Sequence, residues 1–307
     1  MSETSLVILA AGLGSRYGGL KQIDPIGPNG ELLIEYSIYD ALSVGIGHIV
    51  FVIQQSQEDA FREMLGTKLE GRCHVSFAYQ ELTDLPPGNA LPPSRKRPWG
   101  TGHAVLSARH VVQGPFAVIN ADDFYGRKSY VSLAHFLEHE SVLPNAYALV
   151  GFDLRKTITS HGTVSRGVCR VSSEGLLLGI DERIKVGLQD EALVFWDEDG
   201  ASQRLPETSV ASMNMWAFPK MFMSELGDKF GEFLDSPDTD STHDEFFLPG
   251  AVGELAAAGR AIVRVLPTTA SWIGVTYRED LAPVQQGIRT MIADGTYPMN
   301  LWKDGVQ

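Results

Sequence analysis

The chain has 307 residues, 44% hydrophobic and 21% charged, a balance that fits a folded globular protein with a large core and excludes a disordered or fibrous one. Its formal net charge of −13 excludes a general affinity for nucleic acid or anionic membranes, so phosphate would have to be bound in a local cationic pocket. Cys73 and Cys169 lie in strand-like stretches and read as buried thiols, with neither a disulfide nor a zinc cluster implied. The N-terminal MSETS has no basic segment leading into an apolar core, and no apolar run approaches the roughly 20 residues that span a bilayer, so the expected location is the cytoplasm.

Residues 6–11 are a short run rich in Leu, Val and Ile, closed by Gly12, which reads as a strand buried on both faces. Glycines 12, 14, 18 and 19 then permit positive φ and close approach to a ligand, and successive N–H groups in such a turn form an anion-binding concavity. The loop fails the P-loop spacing, because Lys21 stands between Leu20 and Gln22, and fails the dinucleotide fingerprint, because the sixth position counted from Gly12 is Tyr17. What remains is a glycine loop with Arg16 and Lys21 near its end, cations suited to a polyphosphate; plain strand-to-helix punctuation is the other reading. A turn at Pro25 to Gly30 leads to a helix-spaced stripe at Leu33, Ile34, Ile38, Ala41 and Leu42, then a strand at residues 48–53. Ser56 is the expected N-cap of a helix through Leu65, and residues 73–79 give the next strand, an alternation that implies parallel strands with covering helices.

Gln80 ends that strand, where open parallel sheets place ligand contacts; it is either a base-reading amide or a solvent-facing one. Residues 82–98 form a proline-rich loop whose Arg95, Lys96 and Arg97 read first as solvated surface, with attraction of phosphates or a mobile lid as the other reading. Gly100, Thr101 and Gly102 precede a helix, and His103 behind them reads as structural or base-shaping. The strand at residues 116–120 ends in Asp122-Asp123, hard oxygen donors that suit Mg²⁺ or else cap the helix starting near Lys128. That helix runs through Leu137, and a strand at residues 146–152 completes the nucleotide half of a single domain, residues 1–152, with Asp153 opening a hairpin-rich half, residues 153–307. There Gly167-Val168 and Glu182-Arg183 bracket a turn at residues 172–175, another turn spans residues 197–200, and Asn214 sits in the strand-like SMNMWAF. Pro219 is expected in the first turn of a helix through Phe233, a helix follows Glu245, and a last helical stretch ends a chain without hexapeptide repeats.

AAGLGSRYGGLKQ resembles the signature loop of the nucleotidyltransferases that make nucleoside-diphosphate sugars, and RPWGTGHAV resembles the PxGxGHAV segment of bacterial glucose-1-phosphate uridylyltransferases. The resemblance implies a Rossmann-like three-layer α/β/α fold with a mixed, mostly parallel sheet and a hairpin-rich sugar-binding half. It gives Arg16 and Lys21 catalytic phosphate roles, and nucleotide contacts to Ala10, Ala11, Gly12, Gly14, Gln80, Gly100, Thr101 and Gly102. It assigns the sugar phosphate to Gly167, Glu182, Arg183 (where the family has lysine) and Asn214, with Glu245 as a second-tier candidate. A cross-strand ion pair for Glu182-Arg183 and a buried strand amide for Asn214 remain as alternatives. Mg²⁺ falls to Asp122 and, beside it, Asp123, while Gly274 stands where the family carries a second metal-binding aspartate. The implied reaction joins a nucleoside triphosphate, UTP by the motif, to a sugar 1-phosphate, glucose 1-phosphate by the motif, with release of pyrophosphate. The implied partners are these two small molecules, with no nucleic acid or membrane, and association into homo-oligomers is left open. Lys21-Gln22 also resembles the cytidylyltransferases of isoprenoid synthesis, and the missing aspartate leaves room for a nucleotide sensor that has lost turnover.

Overall fold

The computed structural model describes residues 4–11, 25–140, 143–159, 162–197, 199–274 and 281–303. The first half alternates as β1 (Ser5–Leu9), α1 (Leu33–Ser43), β2 (His48–Ile53), α2 (Glu58–Leu69), β3 (His74–Tyr79), α3 (Thr101–Ser107), β4 (Phe116–Asn120), β5 (Asp123–Phe124) and α4 (Arg127–His139). The second half is strand-rich: β6 (Ala146–Asp153), β7 (Val164–Val171), β8 (Leu177–Gln189), β9 (Ala192–Trp196), β10 (Ser202–Arg204) and β11 (Val210–Phe218). It closes with α5 (Phe222–Asp235), α6 (Leu248–Ala257), β12 (Ile262–Pro267), β13 (Ile273–Gly274) and α7 (Leu281–Ala293).

β1 to β4 pair in parallel in the order β3-β2-β1-β4, and β11 continues the sheet antiparallel to β4 before handing it to β7, β8, β9 and β10. β6 also pairs with β11, and β12 runs parallel to β6. Successive strand residues point to opposite faces, so Leu6 and Ile8 pack into one core with α1, α2, α4 and α7, while Val7 packs into another with α3, α5 and α6. All three side chains are fully buried, which is why β1 reads as an unbroken apolar run. The result is a Rossmann-like α/β/α sandwich with a mixed sheet.

Several local expectations shift. Ser56 falls inside a short 3₁₀ turn at Gln55–Gln57, and α2 begins only at Glu58. Pro219 lies ahead of α5, its carbonyl accepting the Phe222 N–H at 3.0 Å, because the buried stripe begins at Phe222 and Met223. Gly126, at φ +72, precedes α4, so the acid pair does not cap that helix. Arg95 is the larger correction: it is buried, over Trp99 at 3.5 Å, and donates to the carbonyls of Arg97 (3.0 Å), Ser241 (2.9 Å) and Pro98 (2.8 Å). A proline-rich loop has few N–H groups with which to build a ladder, and one guanidinium satisfies its carbonyls instead.

Both cysteines are free, and burial pushes the thiols of Cys73 and Cys169 up to about 11 and about 12. No helix among the described residues is long and apolar enough to cross a membrane.

Candidate active site

The strand order reverses between β1 and β4: β2 and β3 extend the sheet on one side of β1, and β4 lies on the other. A crevice opens at the C-terminal ends of the strands at such a switch. Ala10 and Ala11 leave β1 there almost wholly buried, with Ala10 N–H bonded to the Val52 carbonyl at 2.8 Å and Ala121 N–H bonded to the Leu9 carbonyl at 3.1 Å. The chain leaving β1 and the acid pair after β4 therefore depart side by side. Gly12, Gly14, Arg16 and Lys21 themselves lie outside the described residues.

Gln80, at the end of β3, is buried, and its amide nitrogen donates to the Gly100 carbonyl at 2.9 Å. Because that carbonyl can only accept, the amide orientation is fixed, and Oε1 has no hydrogen bond among the described residues. His103 is fully buried against Phe230, with Nε2 2.9 Å from the Asp84 carbonyl; burial holds its pKa below the ordinary value, so it is a neutral structural ring. Gly100 and Gly102 are glycine for a reason the sequence conceals. A Cβ at Gly100, where φ is +99, would lie 2.6 Å from the Phe246 carbonyl oxygen, and one at Gly102 would lie 2.6 Å from the Phe246 ring. Phe246 N–H donates to the Trp99 carbonyl, Gly102 N–H to the Phe246 carbonyl, and Leu248 N–H to the Thr101 hydroxyl. The segment after Glu245 thus buttresses the Gly-Thr-Gly turn from behind, and Glu245 itself sits near Arg95.

The acid pair ends in a hydrogen-bonded chain. Trp216 Nε1 donates to Asn214 Oδ1 (2.9 Å), Asn214 Nδ2 to Asn120 Oδ1 (2.7 Å), and Asn120 Nδ2 to Asp123 Oδ2 (2.8 Å). Tyr125 OH lies 3.2 Å from the same Asp123 oxygen and 3.0 Å from the Met213 carbonyl. Asn214 takes φ +60 where the pairing of β11 with β6 shifts register, a bulge that turns its amide toward β4. It is therefore a half-buried amide bound by side chains, not by the backbone of its neighbours. Burial, then the neighbouring Asp122, raises the Asp123 carboxyl above the usual carboxylate range. Gly274 pairs antiparallel with Asp123 across β13–β5, and a Cβ there would stand 3.2 Å from Asp123 Oδ1 and 2.4 Å from the Trp272 ring. The position expected for a second aspartate does lie beside the acid pair, but the indole of Trp272 fills it.

On the sugar side, Gly167 pairs with Glu182 on one edge and Ser212 on the other, and Glu182 Oε2 lies 3.6 Å from where a Gly167 Cβ would be. Arg183 does not join them. It stacks over Phe195 at 4.3 Å and pairs with Asp181 at 3.4 Å. The cation that acts on the Glu182 carboxylate is Arg166, which sequence reasoning missed. A strand arginine between Ser165 and Gly167 carries no local signal; only the assembled sheet sets it over Trp272, at 4.8 Å, and within the field of Asp123.

Among the described residues no group of three acidic, histidine or cysteine side chains is placed to cage a metal. Mg²⁺ commonly takes one or two carboxylates plus waters and substrate phosphates, and the Asp122 carboxyl with Asp123 Oδ1 fits that donor set.

The comparisons with known proteins agree with this fold. The sequence model described as nucleotidyl transferase matches residues 5–173, more than half of the chain. The bifunctional protein GlmU of Corynebacterium diphtheriae is 26% identical over 167 residues, 53% of this chain and 31% of that protein. UTP–glucose-1-phosphate uridylyltransferase YngB of Bacillus subtilis is 32% identical over 132 residues, 38% of this chain and 42% of that protein. The chain thus spans between three and about four tenths of the length of these curated relatives. Solved structures of HddC from Yersinia pseudotuberculosis (TM-score 0.56, 17% identity, covering 92% of this chain and 99% of that one) and of the inositol-1-phosphate CTP transferase of T. maritima (0.58, 13%, 93% and 96%) share the fold. So does a putative glucose-1-phosphate thymidylyltransferase from Bacillus anthracis, with a TM-score of 0.58 at 14% identity, covering 93% and 95% of the two chains. The match over residues 5–173, together with the sheet order, makes this chain a member of the nucleotidyl transferase family.

Proposed function

We propose that this chain transfers a nucleotidyl group from UTP to a sugar 1-phosphate, glucose 1-phosphate in the first instance, and releases pyrophosphate. The observation that carries the reading is the continuity of the site: the acid pair at the strand-order reversal is joined through Asn120 to Asn214, on the strand that also pairs with Gly167 opposite Glu182. A phosphate oxygen of the sugar ester attacks the α-phosphorus in line. The bond from that phosphorus to the bridging oxygen breaks, and pyrophosphate leaves with the electron pair. Arg16 and Lys21 are assigned to the charge developing on the phosphoryl and leaving oxygens. Asp122 and Asp123 Oδ1 would hold Mg²⁺, which when bound neutralises phosphate charge. Gln80 offers Oε1 as an acceptor to the base, a match for the uracil N3–H, while its amide nitrogen stays on Gly100. Glu182 accepts sugar hydroxyls. Phosphate monoesters are already ionised, so His103 needs no part as a base.

A second reading, cytidylyl transfer to a non-sugar alcohol phosphate, is favoured by the fold shared with the inositol-1-phosphate CTP transferase and by the exocyclic amine of cytosine, which also donates to an acceptor. Coupled detection of released pyrophosphate over UTP, dTTP and CTP against sugar 1-phosphates and alcohol phosphates separates the two. Turnover with UTP and glucose 1-phosphate that is abolished in Lys21→Ala and Asp122→Asn is the expected result. Nucleotide binding without product for any pair would establish a sensor and overturn the enzyme reading.

A further inference from the structure

We propose that Arg166, and not Arg183, is the residue that grips the phosphate of the sugar 1-phosphate, an inference that rests on the transferase reading above. The guanidinium is prepositioned. Nε donates to the Thr157 carbonyl (3.1 Å) and hydroxyl (3.2 Å), Nη1 to the Ser165 carbonyl (2.7 Å), and Nη2 to the Thr157 carbonyl. A guanidinium has five N–H donors, so one on each terminal nitrogen has no hydrogen bond among the described residues. These two form a fork of the kind that binds phosphate oxygens bidentately. Fixing the fork on backbone carbonyls and on the Trp272 face lowers the ordering cost of binding.

Its surroundings point to one end of one substrate. Arg166 precedes Gly167, which pairs with Glu182, and its ring partner Trp272 abuts Gly274, which pairs with Asp123. Both carboxylates act on the guanidinium, yet no ion pair joins it to either among the described residues. A cation placed beside a hydroxyl acceptor and the acid pair, and neutralised by neither, matches a polyol carrying a dianion at its reacting end. Arg183 instead faces Asp181, at 3.4 Å, and the Phe195 ring, at 4.3 Å, with its Nε buried and without a hydrogen bond among the described residues.

The test uses the full chain with glucose 1-phosphate, or the ester selected by the screen above, and UTP varied separately. Arg166→Met is expected to raise KM for the sugar phosphate at least tenfold while KM for UTP moves less than twofold, and Arg166→Lys, which keeps charge without the fork, to fall between. Thermal melts and the UTP constant report whether each variant is folded; a misfolded Arg166→Met leaves Arg166→Lys to decide. An active parent with sugar-phosphate KM unchanged in Arg166→Lys and Arg166→Met overturns the proposal, as does a larger rise in Arg183→Met than in Arg166→Met. A parent inactive with every pair overturns the transferase reading itself, and this inference falls with it.

Discussion

Asn214 is the most informative residue to perturb, because three separate quantities converge on it. Asn214→Ala removes the acceptor of Trp216 Nε1 and the donor to Asn120 Oδ1, at 2.9 and 2.7 Å. Trp216 is fully buried, so its indole N–H is left without a partner, and Asn120 loses the bond that aims its amide at Asp123. An unsatisfied buried polar group costs about 1–3 kcal/mol, and with one end only part-buried the pair should cost about 2–4 kcal/mol. The backbone adds a further term, since φ is +60 and the left-handed region costs an L-residue about 1–2 kcal/mol that glycine does not pay. Asn214→Gly should therefore be more stable than Asn214→Ala by about 1 kcal/mol, although it packs less, because both lose the same bonds and only alanine bears the strain. Urea denaturation followed by tryptophan fluorescence gives both differences. A loss under about 0.5 kcal/mol for Asn214→Ala, or a glycine variant below the alanine one, would refute the strained-bulge account.

Gly102→Ala places a Cβ 2.6 Å from the Phe246 ring and should destabilise by about 1–3 kcal/mol, recovered in part by Phe246→Leu; an unchanged melt would show that the turn is not buttressed from that side. Gly274→Asp must displace the Trp272 ring 2.4 Å away, so the single variant should lose stability, and only with Trp272→Ala should the new carboxylate raise apparent Mg²⁺ affinity in a titration. Equal metal affinity in that double variant and the parent would reject the position as a metal-ligand site. Burial lifts the Asp40 carboxyl to about 7, against bonds from Tyr297 and Arg127. The folded chain then keeps a proton that the unfolded chain loses above 3.8, so this residue's contribution to stability falls as pH rises through that window, by about 4 kcal/mol. Asp40→Asn should gain on the parent as pH rises from 3.8 to about 7 in paired denaturation curves, and a gap independent of pH would refute the assignment.

The strands and the residues at their ends were legible in the sequence because both are local. The apolar runs at β1, β2 and β4 are buried on both faces, so composition alone marks them, and the fold class itself carries the residues at the C-terminal end of a parallel strand to the ligand edge. Gln80 and Asp122-Asp123 were singled out as candidates this way. The part that the tertiary structure decided depends on register and on contacts between distant segments. Pairing of Val164 with Val186 but of Arg166 with Arg183 sets three residues of β8 against two of β7, and such a bulge re-aims side chains that strand alternation cannot follow. The Asn214–Asn120 bond spans 94 residues, and the glycines at 100 and 102 answer to Phe246, far along the chain. Glu35 and Asp40 look like the polar face of α1, yet both are fully buried, bonded to Trp302 Nε1 and Tyr297 OH of the C-terminal segment. A carboxylate can be buried only where partners satisfy it, and those here include Lys68 and Arg127 as well as the C-terminal rings more than 250 residues later, contacts between distant segments that no local pattern records.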